Sequence, residues 1–400
     1  MTANQELAPL PYQSEIKDYL KTHERALWDW FSSARSQQNY AEALRTDLLK
    51  STYRFDPQSH AELYASVETI KARLNLDIPV TLYQARDAPQ PNATLYFLPG
   101  EGHIVFSGPL LTLLNSAEVQ AIVAHELAHY VLWSRDNGEF HIAARLLDAV
   151  ADDPRSAPSH EQTAIRYQLY TELFADRGSL HVAADLHSVV AGLVKIQTGI
   201  AQINPADYLK QAEEIFTRGA VSSDGLSHPE GFIRARALAL WHAEGAASAA
   251  AIRAMIEGPV VFDRLDLLDQ VQLSAMTRRI LQQLLRHRWF QTPAVLGHAK
   301  LYFADFQPAS PQDPGAWDEE RSSDAKWRDY LCYVLLDFVA MDPQLEELPL
   351  AAAFEMARRL KIEAAFEKIA GKELKIKQSD LRRVKENTAT LLAQAEVQHE

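Results

Sequence analysis

The chain has 400 residues, 47% of them hydrophobic and 23% charged, a composition that suits a globular protein of two or three domains. Forty basic against 53 acidic residues leave a net charge of −13, which argues against a nucleic-acid surface. The single cysteine, Cys332, excludes an intrachain disulfide and a Cys-based metal site.

The polar, acidic start has no basic stretch followed by an apolar core, so no signal peptide is expected. No run approaches the roughly 18 apolar residues of a membrane span, so no integral membrane anchor is expected and the expected location is cytoplasmic. Residues 13–56 show helical spacing in Ile16, Leu20, Leu27, Trp28 and Phe31 and again over 40–49. Asp56-Pro57 interrupts the pattern and residues 61–74 resume it. The period then shortens. Residues 78–84, 94–98 and 103–106 are β-branched and aromatic runs bounded by Pro, Gly, Asn and Asp, and they predict a small sheet. A strand at His103, Ile104, Val105 and Phe106, just ahead of the next helix, is expected to be an exposed edge that pairs with an extended peptide.

Asn115, with Glu118 three residues on, predicts a capped helix start, and Asn137-Gly138 its stop. Between them lies His125-Glu126-Leu127-Ala128-His129 among apolar residues. Positions i and i+4 share a helix face, so both imidazoles point at one spot, which suits tetrahedral zinc. Glu126 can then serve as general base towards a water that the metal activates. Two histidines and a glutamate in an apolar setting would be costly without such an ion.

After a helix over 140–150 and a loop over 151–159, Ser159 and Gln162 resemble a capping box opening one long helix to about residue 199. A third ligand is sought on it. The position six residues beyond His129 is Arg135, which rules out the metzincin pattern. Of the downstream glutamates, Glu161 belongs to a helix's first turn, where the dipole already accounts for an acid. Glu172 lies mid-helix with Asp176 one turn on, and is the better ligand; Asp176 would accept the free N–H of a ligand histidine.

The strand with Asn92-Ala93, the run His103-Ile104-Val105-Phe106, the HELAH segment and Glu172-Leu173-Phe174-Ala175-Asp176 together resemble the HtpX/CAAX-prenyl-protease family of gluzincin metallopeptidases, metallopeptidase family 48. Ser227-His228-Pro229, with Arg234 and Arg236 beyond, resembles the family's His-Pro segment. The resemblance implies an α+β, predominantly helical zincin-type domain, one Zn2+ per chain, and endopeptidase activity on peptide or protein substrates in protein quality control. His228 reads either as an ordinary turn residue or as a functional one that polarises a substrate carbonyl or occupies the open metal position, with Arg234 and Arg236 as other oxyanion donors. Two departures stand out: Ala128 occupies the place of a family glycine, and membrane-bound members carry transmembrane helices.

Domain boundaries are expected at residues 1–60, an N-terminal helical segment; 61–257, the metallopeptidase domain; and 258–400, an all-helical domain. In the last, residues 313–348 hold ten acidic and three basic side chains, and 358–386 ten basic and five acidic. Complementary faces within one domain account for that split, with a protein partner for this domain as the alternative. The competing function is a catalytically silent, zinc-stabilised protein whose helical domain binds a partner.

Overall fold

Four short runs rich in Thr, Tyr, Val and Phe pair into one sheet. In the structure, a computed structural model describing residues 7–86, 88–219, 223, 229–258, 261–310 and 325–399, these are β1 (Thr52–Arg54), β2 (Val80–Ala85), β3 (Asn92–Leu98) and β4 (Glu101–Ser107). Their order is β1-β2-β4-β3, with β2 and β4 parallel and the other pairs antiparallel. Pro99-Gly100 closes the β3–β4 hairpin, and Gly100 takes the positive φ of 84° that such a tight loop demands.

This order corrects the expected edge. His103, Ile104, Val105 and Phe106 lie in β4, bonded to β2 on one side and β3 on the other, and all four are buried. They have no open backbone to offer a peptide. The edge is β3. A second correction concerns residues 52–54, expected to be helical: their β-branched and aromatic side chains join β2 instead.

Helices α1 (Pro11–His23), α2 (Arg25–Ser32), α3 (Ala34–Ser51) and α4 (Ala61–Arg73) frame the sheet, together with α5 (Leu110–Leu113), α6 (Ser116–Ser134), α7 (Glu139–Ala151) and α8 (Pro158–Ala183). Next come α9 (Leu186–Thr198), α10 (Pro205–Thr217), α11 (Gly231–Glu244) and α12 (Ala249–Glu257). Leu44 and Leu48 of α3 cover one face of the sheet, against Tyr83, Leu98 and Val105. Val67 and Ile70 of α4 join Val119, Val123 and Leu127 of α6 on the other. Both α1 and α2 pack on α7. The chain divides into Met1–Pro259 and Val260–Glu400, so residues 1–60 belong with the first unit and are not a body of their own.

Asn115 accepts the Glu118 N–H at 3.0 Å while the Glu118 carboxylate accepts the Asn115 N–H at 2.8 Å, a reciprocal cap that starts α6. Lys195 of α9 pairs with the same carboxylate at 2.8 Å, tying α9 to α6. The end of α6 is set by Asp136, Asn137 and Gly138, all at positive φ. Pro158 occupies the first turn of α8 with Ala157 as its cap residue, so Ser159 lies inside the helix and makes no cap. The expected single helix over 159–199 is two: Ala184 turns left-handed at φ 54°, and Asp185 then caps α9 by accepting the His187 and Ser188 N–H groups.

The second unit holds α13 (Leu267–Leu284), α14 (Pro293–Tyr302), α15 (Ala325–Leu336), α16 (Leu348–Arg359), α17 (Glu363–Glu373) and α18 (Gln378–His399). Its core runs from Ile280 and Phe290 through Leu331 and Cys332 to Phe354 and Phe366. Arg383 pairs with Glu347, Lys385 with Glu367 and Arg358 with Glu363, so part of the opposite charge in this unit is satisfied internally. No described helix is long and apolar enough to cross a membrane.

Candidate metal centre

Helix α6 is apolar nearly all round and therefore buried on every side: β3, β4 and α4 against one face, α8 and α9 against the others. In that setting the polar side chains of α6 must find partners. His125 and His129 do so with each other and with Glu172 of α8. Their Nε2 atoms are 3.2 Å apart; His125 Nε2 lies 3.4 Å from Glu172 Oε2, and His129 Nε2 lies 3.5 Å from Glu172 Oε1. Tetrahedral ligands about 2.0–2.1 Å from zinc would sit about 3.3 Å from one another, so these spacings fit the ion. All three residues are buried, and their donor atoms fall within 4.8 Å of one another, a group that can hold a metal ion.

The surrounding contacts orient this set. Asp176 Oδ1 lies 3.0 Å from His125 Nδ1, which leaves Nε2 facing the centre. Asp176 is gripped in turn by Arg234 of α11, whose Nη2 and Nε donate to its two oxygens at 2.6 and 2.8 Å. Arg234 Nη1 also lies 3.3 Å from Glu172 Oε2. Burial works against ionising Asp176, but the guanidinium outweighs it and holds the carboxyl below its usual range. Burial likewise opposes charging His125, yet the hydrogen bonds to Asp176 and Glu172 prevail and push its pKa up to about 10. The cluster therefore attracts a cation. A proton fills that need when no ion is bound.

His129 is oriented differently. Its Nδ1 is buried with no hydrogen-bond partner among the described residues, while its ring stacks on Trp133 at 5.2 Å between centroids and 22° between planes. Glu126 points from α6 towards the sheet, where its Oε2 accepts the Leu95 N–H at 2.7 Å. In an antiparallel ladder N–H and C=O of one residue face the same side and alternate along the strand. The open edge of β3 therefore presents Ala93 N–H and C=O and Leu95 C=O beside Glu126.

Arg234 and Arg236 are thus not free donors for an oxyanion: the first is committed to Asp176 and Glu172, the second to Glu213. The Arg234 clamp is 58 residues from Asp176, and only the packing of α11 on α8 brings the two together. Glu161 is exposed in the first turn of α8, away from the centre. His228 lies outside the described residues.

Residues 57–150 match the model of peptidase family M48. Over these residues the chain is similar to the M48 peptidases. It is 34% identical over 188 residues to a plastoglobule-localized metallopeptidase 48, chloroplastic, of Arabidopsis thaliana, covering 42% of this chain and 53% of that one. It is 32% identical over 155 residues to a protease HtpX homolog of Thermoplasma volcanium, covering 38% and 44%. The chain thus spans about half the length of these curated relatives. No solved structure matches it significantly. The M48 match contains His125, Glu126 and His129 but ends before Glu172, Asp176 and Arg234, which the structure brings to the same cluster.

Three substitutions separate ligand from support. Glu172→Ala should lose bound metal, whereas Glu161→Ala should keep it; metal content of both purified variants decides, and loss only in Glu161→Ala contradicts the assignment. Asp176→Asn keeps the shape but weakens the acceptor at His125 Nδ1, and metal affinity should fall about 10–100-fold in a competition titration. Unchanged affinity would mean that the charge of Asp176 plays no part in holding the ring.

Proposed function

We propose that the M48 domain is a zinc-dependent endopeptidase. The observation that carries this reading is a carboxylate, Glu126, kept out of the ligand set yet beside it and next to an open strand edge. A purely structural site has no use for a base in that place. Zinc, when bound by His125, His129 and Glu172, supplies Lewis-acid polarisation and acidifies water towards a pKa of about 7.

The chain's own residues do the rest. An extended peptide pairs with Ala93 and Leu95 on β3, which fixes its carbonyl over the centre. Glu126, whose pKa is raised by burial, accepts the proton of the attacking water and returns it to the leaving amine. The Leu95 amide holds one Glu126 oxygen, leaving the other free to move the proton. Asp176 and Arg234 keep His125 and Glu172 in register through that exchange.

The test is a digest of a denatured peptide library, with new amino termini read by mass spectrometry with and without a chelator. Chelator-sensitive internal cleavage supports the reading. No cleavage of any peptide by metal-loaded protein would reject it.

A further inference from the structure

The cleft extends to both sides of the metal centre as a cavity of about 480 Å3, and the two sides differ in chemistry. Between α6 and α9 its wall is mainly hydrocarbon, from Ile122, Val189, Leu193 and Ile196, with Gln197 as its polar member on α9. Between α7 and α8 the wall holds Ala144 and Leu147 of α7, Tyr167 and Thr171 of α8, and the pair Asp148 and Gln168. Gln168 is one helical turn before Glu172 on the same face of α8, and its Nε2 donates to Asp148 Oδ1 at 2.9 Å. Asp148 thus stands one side chain beyond the metal centre.

No cation pairs with Asp148 among the described residues. The one arginine of α7, Arg145, is turned away onto the Tyr40 ring, 4.5 Å from its centroid. Although Asp148 is exposed as a residue, partial burial of its carboxyl raises the pKa, with Asp152 adding to the effect and the Gln168 hydrogen bond opposing it. A carboxylate in this position gains from a cation arriving along the cleft.

Resting on the peptidase reading, we propose that the α7–α8 half of the cleft receives a lysine or arginine side chain of the substrate, and the α6–α9 half an apolar one. The long methylene stem lies along Ala144 and Leu147 of α7, and its charged head replaces the Gln168 amide on Asp148. Leu193 and Ile196 exclude water around the apolar residue on the other side of the scissile bond. The carboxylate is partly solvated, so the discrimination is moderate, about fivefold per basic residue, and shrinks with added salt.

The test uses one peptide scaffold carrying Lys, Gln or Glu in turn at each position flanking the scissile bond. Binding to full-length, zinc-loaded Glu126→Gln protein is read by fluorescence anisotropy, and cleavage by wild type in parallel. One position should favour Lys over Gln about fivefold in binding. Adding Asp148→Asn should bring that ratio close to one, and Asp148→Lys should turn the preference towards Glu. A position-independent response to Lys, a ratio that survives Asp148→Asn, or no peptide binding at all would overturn the assignment. Selective binding without cleavage by wild type would uphold it and reject the peptidase reading instead.

Discussion

Glu126→Gln is expected to lower turnover about 10²–10⁴-fold while metal content and thermal unfolding stay as in wild type. The amide is nearly isosteric, and its oxygen can still accept the Leu95 N–H that Glu126 Oε2 accepts at 2.7 Å. It cannot take a proton from water. Glu126 makes none of the three ligand contacts, so the ion should remain. The pairing of lost rate with retained metal is what identifies a base; loss of both would mark Glu126 as a structural member of the centre. Full activity in this variant would remove the proposed mechanism.

Gly178→Ala is expected to damage the same centre from outside it. A Cβ built on Gly178 would meet Ala128 Cβ at 2.3 Å and Leu7 Cδ2 at 3.1 Å. The leucine tip can give way, but Ala128 is fixed in α6 between the two ligand histidines, so α8 would have to back off. That helix carries Glu172 and Asp176, and ligand distances tolerate only about ±0.2 Å. Overpacking of this kind costs about 1–3 kcal/mol of stability. Metal affinity should fall on the order of 100-fold, the upper range for loss of a supporting contact. The compensating change is on the facing helix: Ala128→Gly in the same chain removes the opposing methyl and should restore most of the affinity. Where the family resemblance places glycine at position 128, this chain has the small residue opposite, on α8. Wild-type affinity in Gly178→Ala would show that the spacing of α6 and α8 does not limit the site.

The parts of this arrangement that were readable from sequence are local. Asn115 with Glu118, the i and i+4 spacing of His125 with His129, and the same spacing of Glu172 with Asp176 all act within one or two helical turns, so periodicity reveals them. What escaped is non-local. His103 to Phe106 read as an edge because nothing in a strand's own residues tells which neighbour it will have; β2 and β3 claim its two sides. The role of Arg234 required α11 to be laid on α8, and the need for glycine at 178 appears only when α8 meets Ala128. The break at Ala184 was hidden by an apolar pattern that continues through both α8 and α9, although Asp185 was a visible cap signal.

The most direct test of the central claim is a zinc titration of metal-stripped protein, following the rate of cleavage of denatured casein against zinc added per chain. The rate should be near zero at the start, rise linearly, and level off at about one zinc per chain, as a single three-ligand site requires. Cleavage that persists in the stripped protein, or none at saturating zinc, would contradict it.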